Sequence, residues 1–332
     1  MYVVRSLPRR FLVFALAATL WLSLAVAQST PEPERAIKAP LASKSLLLDV
    51  ARTDGLLVAV GERGHIVTST DSGVTWTQAD VPTRAMLTGV WFHDRNLGWA
   101  VGHDAAILRT KDGGKSWQRV YWDPAAEAPF LDVWFADANR GFAVGAYGRC
   151  FVTADGGTTW SEQPVSEEND FHLNQIARAA NGKLYIAAES GQVYLSEDAG
   201  STWVALDTTY EGSLFGVFPL EGDSLLAFGL RGHLLRSDDA GATWTHIETG
   251  TTAMLNQAVQ LTDGTIVLAG LAGSVLVSKD GGRTFLLHQQ KNRSGLQALV
   301  DVGGGYLVLV GESGVRRARI PELLAGGAEV TR

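Results

Sequence analysis

The residues that could do chemistry in this chain are concentrated in one short motif. The segment from Ser69 to Trp76, STDSGVTW, places one aspartate between hydroxyl residues and a glycine. It could be a metal loop, part of a hydrolase site or a structural turn. A calcium loop needs a denser series of oxygen ligands ending in a bidentate carboxylate. We therefore predict a structural turn without metal, in which the aspartate accepts backbone N–H bonds and the glycine adopts a positive φ.

The motif occurs six times, and its spacing indicates the fold. Its aspartates lie 41 to 43 residues apart, at Asp71, Asp112, Asp155, Asp198, Asp239 and Asp280, and a structural role is predicted for each. A second motif of the type Val-Gly-x-x-Gly precedes it and occurs seven times. Four short apolar runs per repeat, separated by turn residues such as Asn181-Gly182, predict four antiparallel strands. The sequence therefore predicts an all-β, seven-bladed β-propeller.

The two ends of the chain complete the predicted domain organisation. Residues 1–27 combine three arginines, an apolar stretch and Ala25-Val26-Ala27, which is typical of a signal peptide cleaved after Ala27. An uncleaved membrane anchor is the alternative, although 17 apolar residues are short for a bilayer span. Residues 28–45 are predicted to be a linker, 46–322 the propeller and 323–332 a C-terminal tail. Because the seventh repeat has no outer strand of its own, we expect the segment around Arg35 to Ala42 to supply that strand and close the ring.

Composition and charge limit the classes of function. The chain has 332 residues, of which 46% are hydrophobic and 19% charged, and its net charge is −7. A nucleic-acid partner would need a basic surface, so none is expected. Cys150, the only cysteine, opens an apolar run and is predicted to be a buried, unreactive thiol. We expect a periplasmic or secreted protein that does not span the membrane after cleavage and carries no cofactor.

The Asp motifs resemble BNR or Asp-box repeats. Sialidases also carry Asp boxes, remote from their catalytic residues, but they have an Arg-Ile-Pro element ahead of the first box, whereas Arg319 to Pro321 follow all six here. Seven units with the consensus VGxxGxIxxTxDGGxxW, over about residues 45–320, look more like the photosystem II stability/assembly factor family. This resemblance implies a non-catalytic propeller that holds membrane proteins during assembly on the lumenal or periplasmic side, with an arginine-rich patch in photosynthetic members. In a non-photosynthetic organism, it implies a membrane transport system as partner.

Partner binding is predicted on the face that carries the Val-Gly-x-x-Gly turns and the longer connections between blades, called here the turn face. The Asp motifs are expected on the opposite face. The residues assigned to partner binding are Glu62, Arg63, His103, Asp104, Tyr147, Arg149, Glu189, Arg231 and Glu312. Arg63 and Arg231 match the position of the family's arginine patch but lie in separate blades, on a face with more acidic than basic residues.

The alternative hypothesis is an Asp-box glycoside hydrolase of the sialidase type or a carbohydrate-binding propeller. It requires two positioned carboxylates, or a tyrosine with an arginine cluster, facing one pocket. Tyr147 would be its candidate nucleophile. Under the favoured hypothesis the protein is not an enzyme, and no catalytic residue is assigned.

Overall fold

Seven antiparallel sheets follow one another along the chain, as predicted. The computed structural model describes Tyr2 and residues 34–325, so the predicted signal peptide lies outside the described residues except for Tyr2. Each blade is ordered from its first strand, at the central channel, to its last. The strands are, blade by blade, β1–β4 (Leu47–Thr53, Leu56–Gly61, Ile66–Ser69, Thr77–Gln78), β5–β8 (Leu87–Phe92, Gly98–Gly102, Ala106–Thr110, Gln118–Tyr121), β9–β12 (Phe130–Phe135, Gly141–Gly145, Cys150–Thr153, Ser161–Glu162), β13–β16 (Leu173–Arg178, Leu184–Ala188, Gln192–Ser196, Val204–Asp207), β17–β20 (Leu214–Pro219, Leu225–Gly229, Leu234–Ser237, Thr245–His246), β21–β24 (Leu255–Gln260, Ile266–Gly270, Ser274–Ser278, Leu286–Gln289) and β25–β27 (Leu296–Gly303, Tyr306–Gly311, Gly314–Arg319).

Helical structure is confined to short segments in the described part of the chain. Turns of 3-10 helix lie at Ala42–Lys44, Glu62–Gly64, Pro124–Ala126, Ala146–Gly148, Leu230–Gly232 and Leu271–Gly273, and one α-helix, α1, spans Ile320–Leu324. The helix α1 lies across the boundary predicted between propeller and tail, and its Leu323 is fully buried. Within the described residues, no helix has both the length and the apolar character needed to cross a membrane.

The hydrophobic core lies between neighbouring blades rather than at one centre. The second strand of most blades is buried at every position, because both faces of each sheet pack against another sheet. Leu47 of blade one, for example, packs in one cluster with Val310 and Val315 of blade seven. The outer strands are short and largely exposed. This arrangement explains why the sequence carries one continuous apolar run per repeat.

The Asp motifs form the predicted turns. In blade one the Asp71 carboxylate accepts the backbone N–H of Thr75 at 2.9 Å and the Thr75 hydroxyl at 2.6 Å. The Ser69 hydroxyl donates to the same carboxylate and accepts the N–H of Gly73, whose φ is 82°. These bonds hold the pKa of Asp71 well below its ordinary value. The other five motifs repeat the pattern, with the aspartate accepting the N–H of the residue four positions later.

The seventh blade corrects one expectation. Its sheet has three strands within the described residues, and the segment from Arg35 to Ala42 does not pair with β27. That segment runs along the outer strand of blade one, where the Ala36 N–H donates to the Val81 carbonyl at 2.9 Å and the Lys38 ammonium to the Gln78 carbonyl. The following 3-10 helix packs against both β27 and blade one. The segment therefore covers the junction of blades one and seven without completing the seventh sheet.

Candidate partner-binding face

Seven equivalent hydrogen bonds build the turn face. In each blade, the N–H of the first variable residue of the Val-Gly-x-x-Gly turn donates to the carbonyl that precedes the inner strand, at 2.8–3.1 Å. The donors are Glu62, His103, Ala146, Glu189, Leu230, Leu271 and Glu312, and the acceptors are Leu46, Met86, Pro129, His172, Ser213, Met254 and Gly295. The chain approaches so closely that a Cβ on Gly61 would lie 2.2 Å from the Leu46 oxygen. The first glycine of the motif is therefore required by space in six blades, whereas blade four carries Ala188 there, and the same hydrogen bond is kept in all seven blades.

The second variable residue of six of these turns has a left-handed backbone. Its φ lies between 54° and 59° at Arg63, Asp104, Tyr147, Ser190, Arg231 and Ala272. For a residue with a Cβ this conformation costs about 1 kcal/mol, and glycine or asparagine would favour it. The side chains of Arg63, Tyr147 and Arg231 are nevertheless large and exposed. The turn imposes this conformation on small residues such as Ser190 and Ala272 as well, and at Arg63, Tyr147 and Arg231 it presents a large side chain to solvent.

The predicted residues divide into exposed groups and groups with structural contacts. Arg63, His103, Asp104, Tyr147, Arg231 and Glu312 are exposed, and Glu62 and Glu189 are half-buried. Arg63 and Arg231 form no salt bridge with any residue in the described range. Both therefore have guanidinium groups that a partner could reach without breaking an ion pair.

Three of the predicted residues mainly support the face. The Arg149 side chain is only 13% exposed, lies over the Phe151 ring at 4.7 Å, and is 3.8 Å from the Glu162 carboxylate. Glu189 accepts the N–H of His172 at 2.9 Å, and Glu312 accepts the N–H of Gly295 at 2.7 Å. The prediction of Arg149 as a surface contact is corrected, because its guanidinium is directed into the packing of blade three.

Around Tyr147 the face is acidic and concave. Tyr147 is 59% exposed and its ring packs edge-on against the His172 ring, with centroids 5.0 Å apart. The depression beside it has a volume of about 760 Å³ and carries four acidic residues, Glu162, Glu167, Glu168 and Asp170. Blade five, by contrast, presents Arg231 and the exposed Leu230. The turn face thus has an acidic region around the exposed Tyr147 ring and, in blade five, a separate basic residue, Arg231.

The central channel contains a polar ring that the sequence analysis missed. The third residue of the inner strand is Asp49, Asp132, Gln175 or Gln257 in four blades, and each side chain accepts a backbone N–H of the next blade. The second residue of the inner strand also bonds to the next blade, but as a donor. Thr88, Asn174 and Asn256 each donate a side-chain hydrogen bond to a backbone carbonyl of that blade. The recurring sequence Leu/Phe-x-Asp/Gln at the start of each inner strand was the signal that could have identified these residues.

The two channel carboxyls are electrostatically unusual. Burial raises the pKa of Asp49 to about 6. Burial, together with the neighbouring Asp49 charge, raises the pKa of Asp132 to about 8. Both oxygens of each group already accept backbone N–H bonds, from Val50 and Val90 at Asp49 and from Val133 and Ile176 at Asp132. Their geometry therefore serves to join blade one to blade two and blade three to blade four.

The channel does not assemble the constellation that the hydrolase hypothesis requires. The pocket at the inner strands has a volume of about 250 Å³, and none of its described lining residues is an arginine or a tyrosine. Tyr147 lies at the turn between β10 and β11, beside the acidic depression and not in the channel. Among residues 34–325, no three His, Cys, Asp or Glu side chains are grouped so that they could hold a metal ion.

Comparisons with known proteins place these features in one family. A family model described as photosynthesis system II assembly factor YCF48 matches residues 29–125 and 121–268. The photosystem II stability/assembly factor HCF136 of Cyanidioschyzon merolae is 34% identical over 92 residues, which cover 26% of this chain and 21% of that protein. The chain thus spans about a fifth of the length of this curated relative.

Solved structures share the fold. One described as YCF48 bound to D1 peptide has a TM-score of 0.69 and 20% identity and covers 88% of this chain and 98% of its own. Virginiamycin B lyase from Staphylococcus aureus has a TM-score of 0.71 at 12% identity and covers 82% and 94%. An assembly factor and a lyase are about equally similar in structure to this chain, at identities of 20% and 12%. Structural similarity at these identities therefore shows the propeller fold alone. The match of the family model over most of the chain is more specific, and the protein belongs to the family of the photosynthesis system II assembly factor YCF48.

Proposed function

We propose that this protein is a non-catalytic accessory factor that binds a segment of a membrane protein through its turn face during assembly of a membrane complex. The observation that carries the proposal is the set of exposed side chains held at strained turn positions on a rigid face, above all Arg63, Tyr147 and Arg231. Family membership supports the same function. A solved YCF48 is described as bound to D1 peptide, which is a precedent for peptide binding in that protein.

The chemistry of the face defines the partner segment. Arg63 and Arg231 would receive carboxylates, and the ring of Tyr147, surrounded by Glu167, Glu168 and Asp170, would receive a basic or aromatic side chain. Because the two arginines belong to blades one and five, one segment that contacts both must extend across the face. In an organism without photosystems, the same surface would serve another membrane complex, such as a transport system.

The test is crosslinking in whole cells followed by affinity capture of the tagged protein. Wild type is compared with an Arg63→Glu, Arg231→Glu variant, which reverses both free guanidinium charges. A matched control, Arg178→Glu with Lys111→Glu, makes the same change in charge at exposed residues on the Asp-motif side of the blades. We expect one membrane protein to be recovered with wild type and with the control and to be lost with the turn-face variant.

Two outcomes would contradict the proposal. Equal recovery of the membrane protein with both double variants would exclude the turn face as the binding surface. Recovery of no membrane protein, together with turnover of a sialoside or another glycoside by the purified protein, would favour the hydrolase hypothesis. A Tyr147→Phe variant would then separate a nucleophile from a packing residue, because only the phenol oxygen is removed.

We further propose that the protein acts after export, in the periplasm or outside the cell. The basis is the sequence of residues 1–27, with its arginines and the Ala25-Val26-Ala27 site. Fractionation followed by N-terminal sequencing should give a mature chain that begins at Gln28. A cytoplasmic protein that retains residues 1–27 would contradict this part of the proposal.

A further inference from the structure

The outer edge of blade seven differs from the edges of the other blades. In six blades a fourth strand pairs with the third, whereas β27 has no described strand on its outer side. In blades one, three and five, the carbonyl of the residue that begins the third strand, at Ile66, Cys150 and Leu234, accepts the N–H of the residue directly after the outer strand at 2.8 Å. Val315 is the equivalent residue, since it pairs with Val310 as Ile66 pairs with Val60. No described residue donates a backbone N–H to its carbonyl.

The pairing register identifies which backbone groups are available. β26 and β27 join through a two-residue turn, so Gly311 and Gly314 form a hydrogen-bonded pair. Hydrogen-bonded and non-hydrogen-bonded pairs alternate along an antiparallel ladder. Val315 and Arg317 are therefore non-hydrogen-bonded toward β26, and their N–H and C=O groups point outward. Ser43 and Lys44 lie against Gly314 and Val315 is only 8% exposed, so the more open part of the edge is at Arg317. An edge of this kind is a template for another strand.

The side chains around this edge are basic, although the whole chain is acidic. The third strand of blade seven reads Gly-Val-Arg-Arg-Ala-Arg, with Arg316, Arg317 and Arg319 in succession. Lys291 and Arg316 line a cavity of about 390 Å³ beside the strand, together with the single acid Glu322. Glu322 is itself 3.8 Å from Arg319. An incoming strand would thus meet an excess of positive charge on both of its faces.

We propose that the outer edge of β27 binds an extended, acidic segment of another polypeptide as the fourth strand of blade seven. The backbone groups of Val315 and Arg317 would supply the hydrogen bonds, and Lys291, Arg316 and Arg319 would select carboxylate side chains. This rim site is independent of the turn face and of the function proposed for it. The segment of this chain expected at this edge, Arg35 to Ala42, is bonded to blade one instead.

The test uses two synthetic peptides of alternating sequence, acetyl-Thr-Glu-Val-Glu-Val-Glu-Thr-amide and the same peptide with lysine in place of glutamate. Binding to the full chain is measured by fluorescence anisotropy, and amide hydrogen exchange is followed with and without peptide. We expect the acidic peptide to bind at least about tenfold more tightly than the basic one, to lose affinity with added salt, and to slow exchange at the amides of Val315 and Arg317. N-methylation at alternate peptide positions should reduce affinity by about tenfold, because each lost backbone bond is worth about that factor.

Variants of the protein give an independent check. Arg317→Pro removes an outward N–H, whereas Arg317→Ala removes the same side-chain contacts with Ser72 and Tyr306 and keeps the N–H. The proline variant should bind the peptide about tenfold more weakly than the alanine variant. The Arg63→Glu, Arg231→Glu variant should bind it normally, which separates this site from the turn face.

Several results would overturn the proposal. Equal binding of both peptides, or indifference to N-methylation, would exclude pairing with an acidic strand. Amide hydrogen exchange at Val315 and Arg317 could be slow in the free protein and become fast when residues 28–33 or 326–332 are deleted. That result would show that the chain covers its own edge. A dimer in sedimentation experiments, with protection that rises with protein concentration, would assign the edge to a second copy.

Discussion

Replacement of Asp132 by asparagine should stabilise the protein increasingly as pH rises. In the folded protein, burial and the Asp49 charge raise the pKa of Asp132 to about 8, from an ordinary value of 3.8. The folded state then binds more protons than the unfolded state between these values, so the free energy of unfolding falls with rising pH. The contribution of Asp132 is complete below about pH 4 and is lost as the pH approaches 8. Asparagine has no such dependence.

The size of this change in the free energy of unfolding follows from the number of protons that only the folded state binds. One proton held only in the folded state changes the free energy of unfolding by up to about 1.4 kcal/mol per pH unit. Between pH 5 and pH 8, the stability of the variant relative to wild type should therefore rise by up to about 4 kcal/mol. The wild-type carboxyl accepts the N–H groups of Val133 and Ile176, whereas the asparagine oxygen can accept only one of them. This loss lowers the free energy of unfolding of the variant by about 1 kcal/mol at every pH. The variant should consequently be the less stable protein only at about pH 4 and below.

Urea unfolding followed by tryptophan fluorescence at pH 4, 5, 6.5 and 8 and constant ionic strength is the assay. Asp155→Asn is the control, and its effect on stability should have the opposite sign. The N–H and hydroxyl donors of Thr159 lower the pKa of Asp155 to about 2. Its carboxylate stabilises the fold above pH 4, so that variant should be less stable than wild type throughout the upper range. A difference between wild type and Asp132→Asn that stays constant from pH 5 to pH 8 would refute the reasoning, because Asp132 would then be ionised in the folded state.

Three further predictions concern stability and reactivity. Deleting residues 34–44 should lower the melting temperature by several degrees, because the segment bonds to Val81 and covers the junction of blades one and seven; an unchanged melting temperature would contradict that role. Asp112→Ala should also destabilise the protein, since Lys115 and Ser116 lose the acceptor of their N–H groups, whereas Lys111→Ala in the same turn should have little effect in the same thermal melts. Burial raises the pKa of Cys150 to about 12, so maleimide should label it only after unfolding, and rapid labelling of the native protein would show that the thiol is accessible.

The sequence was sufficient to predict the blades because each repeat carries its own local signals. Glycine at positive φ, one aspartate that accepts several N–H groups and an apolar second strand all act within a few residues of one another, as in the turn at Asp71. The same reasoning placed the second turns and the blade connections on one face. In the structure, Gly64 lies against Thr83 of the first connection and Gly232 against Thr251 of the fifth.

The parts that could not be predicted depend on contacts between distant residues. The Arg149 side chain looks like a surface group in the sequence, and only the packing of Phe130 and Phe151 shows that it is covered. The path of residues 34–44 follows from hydrogen bonds to Gln78 and Val81, about 40 residues away in the chain, and no local pattern distinguishes that path from pairing with β27. The raised pKa values of Asp49 and Asp132 likewise arise from a channel that exists only when the ring is assembled.

The side chains that join the blades also determine which joint of the ring is mechanically weakest. Polar side chains along the channel connect every neighbouring pair of blades from one to five, and again six to seven. Blades seven and one are also joined at their inner strands, where the Arg52 side chain of β1 donates to the Asp301 carbonyl of β25. Among the described residues, only the joint between blades five and six has no such inner connection, and there Arg236 of the third strand donates to the Gly281 carbonyl instead. Under load the ring would therefore open first on the channel side of the joint between blades five and six.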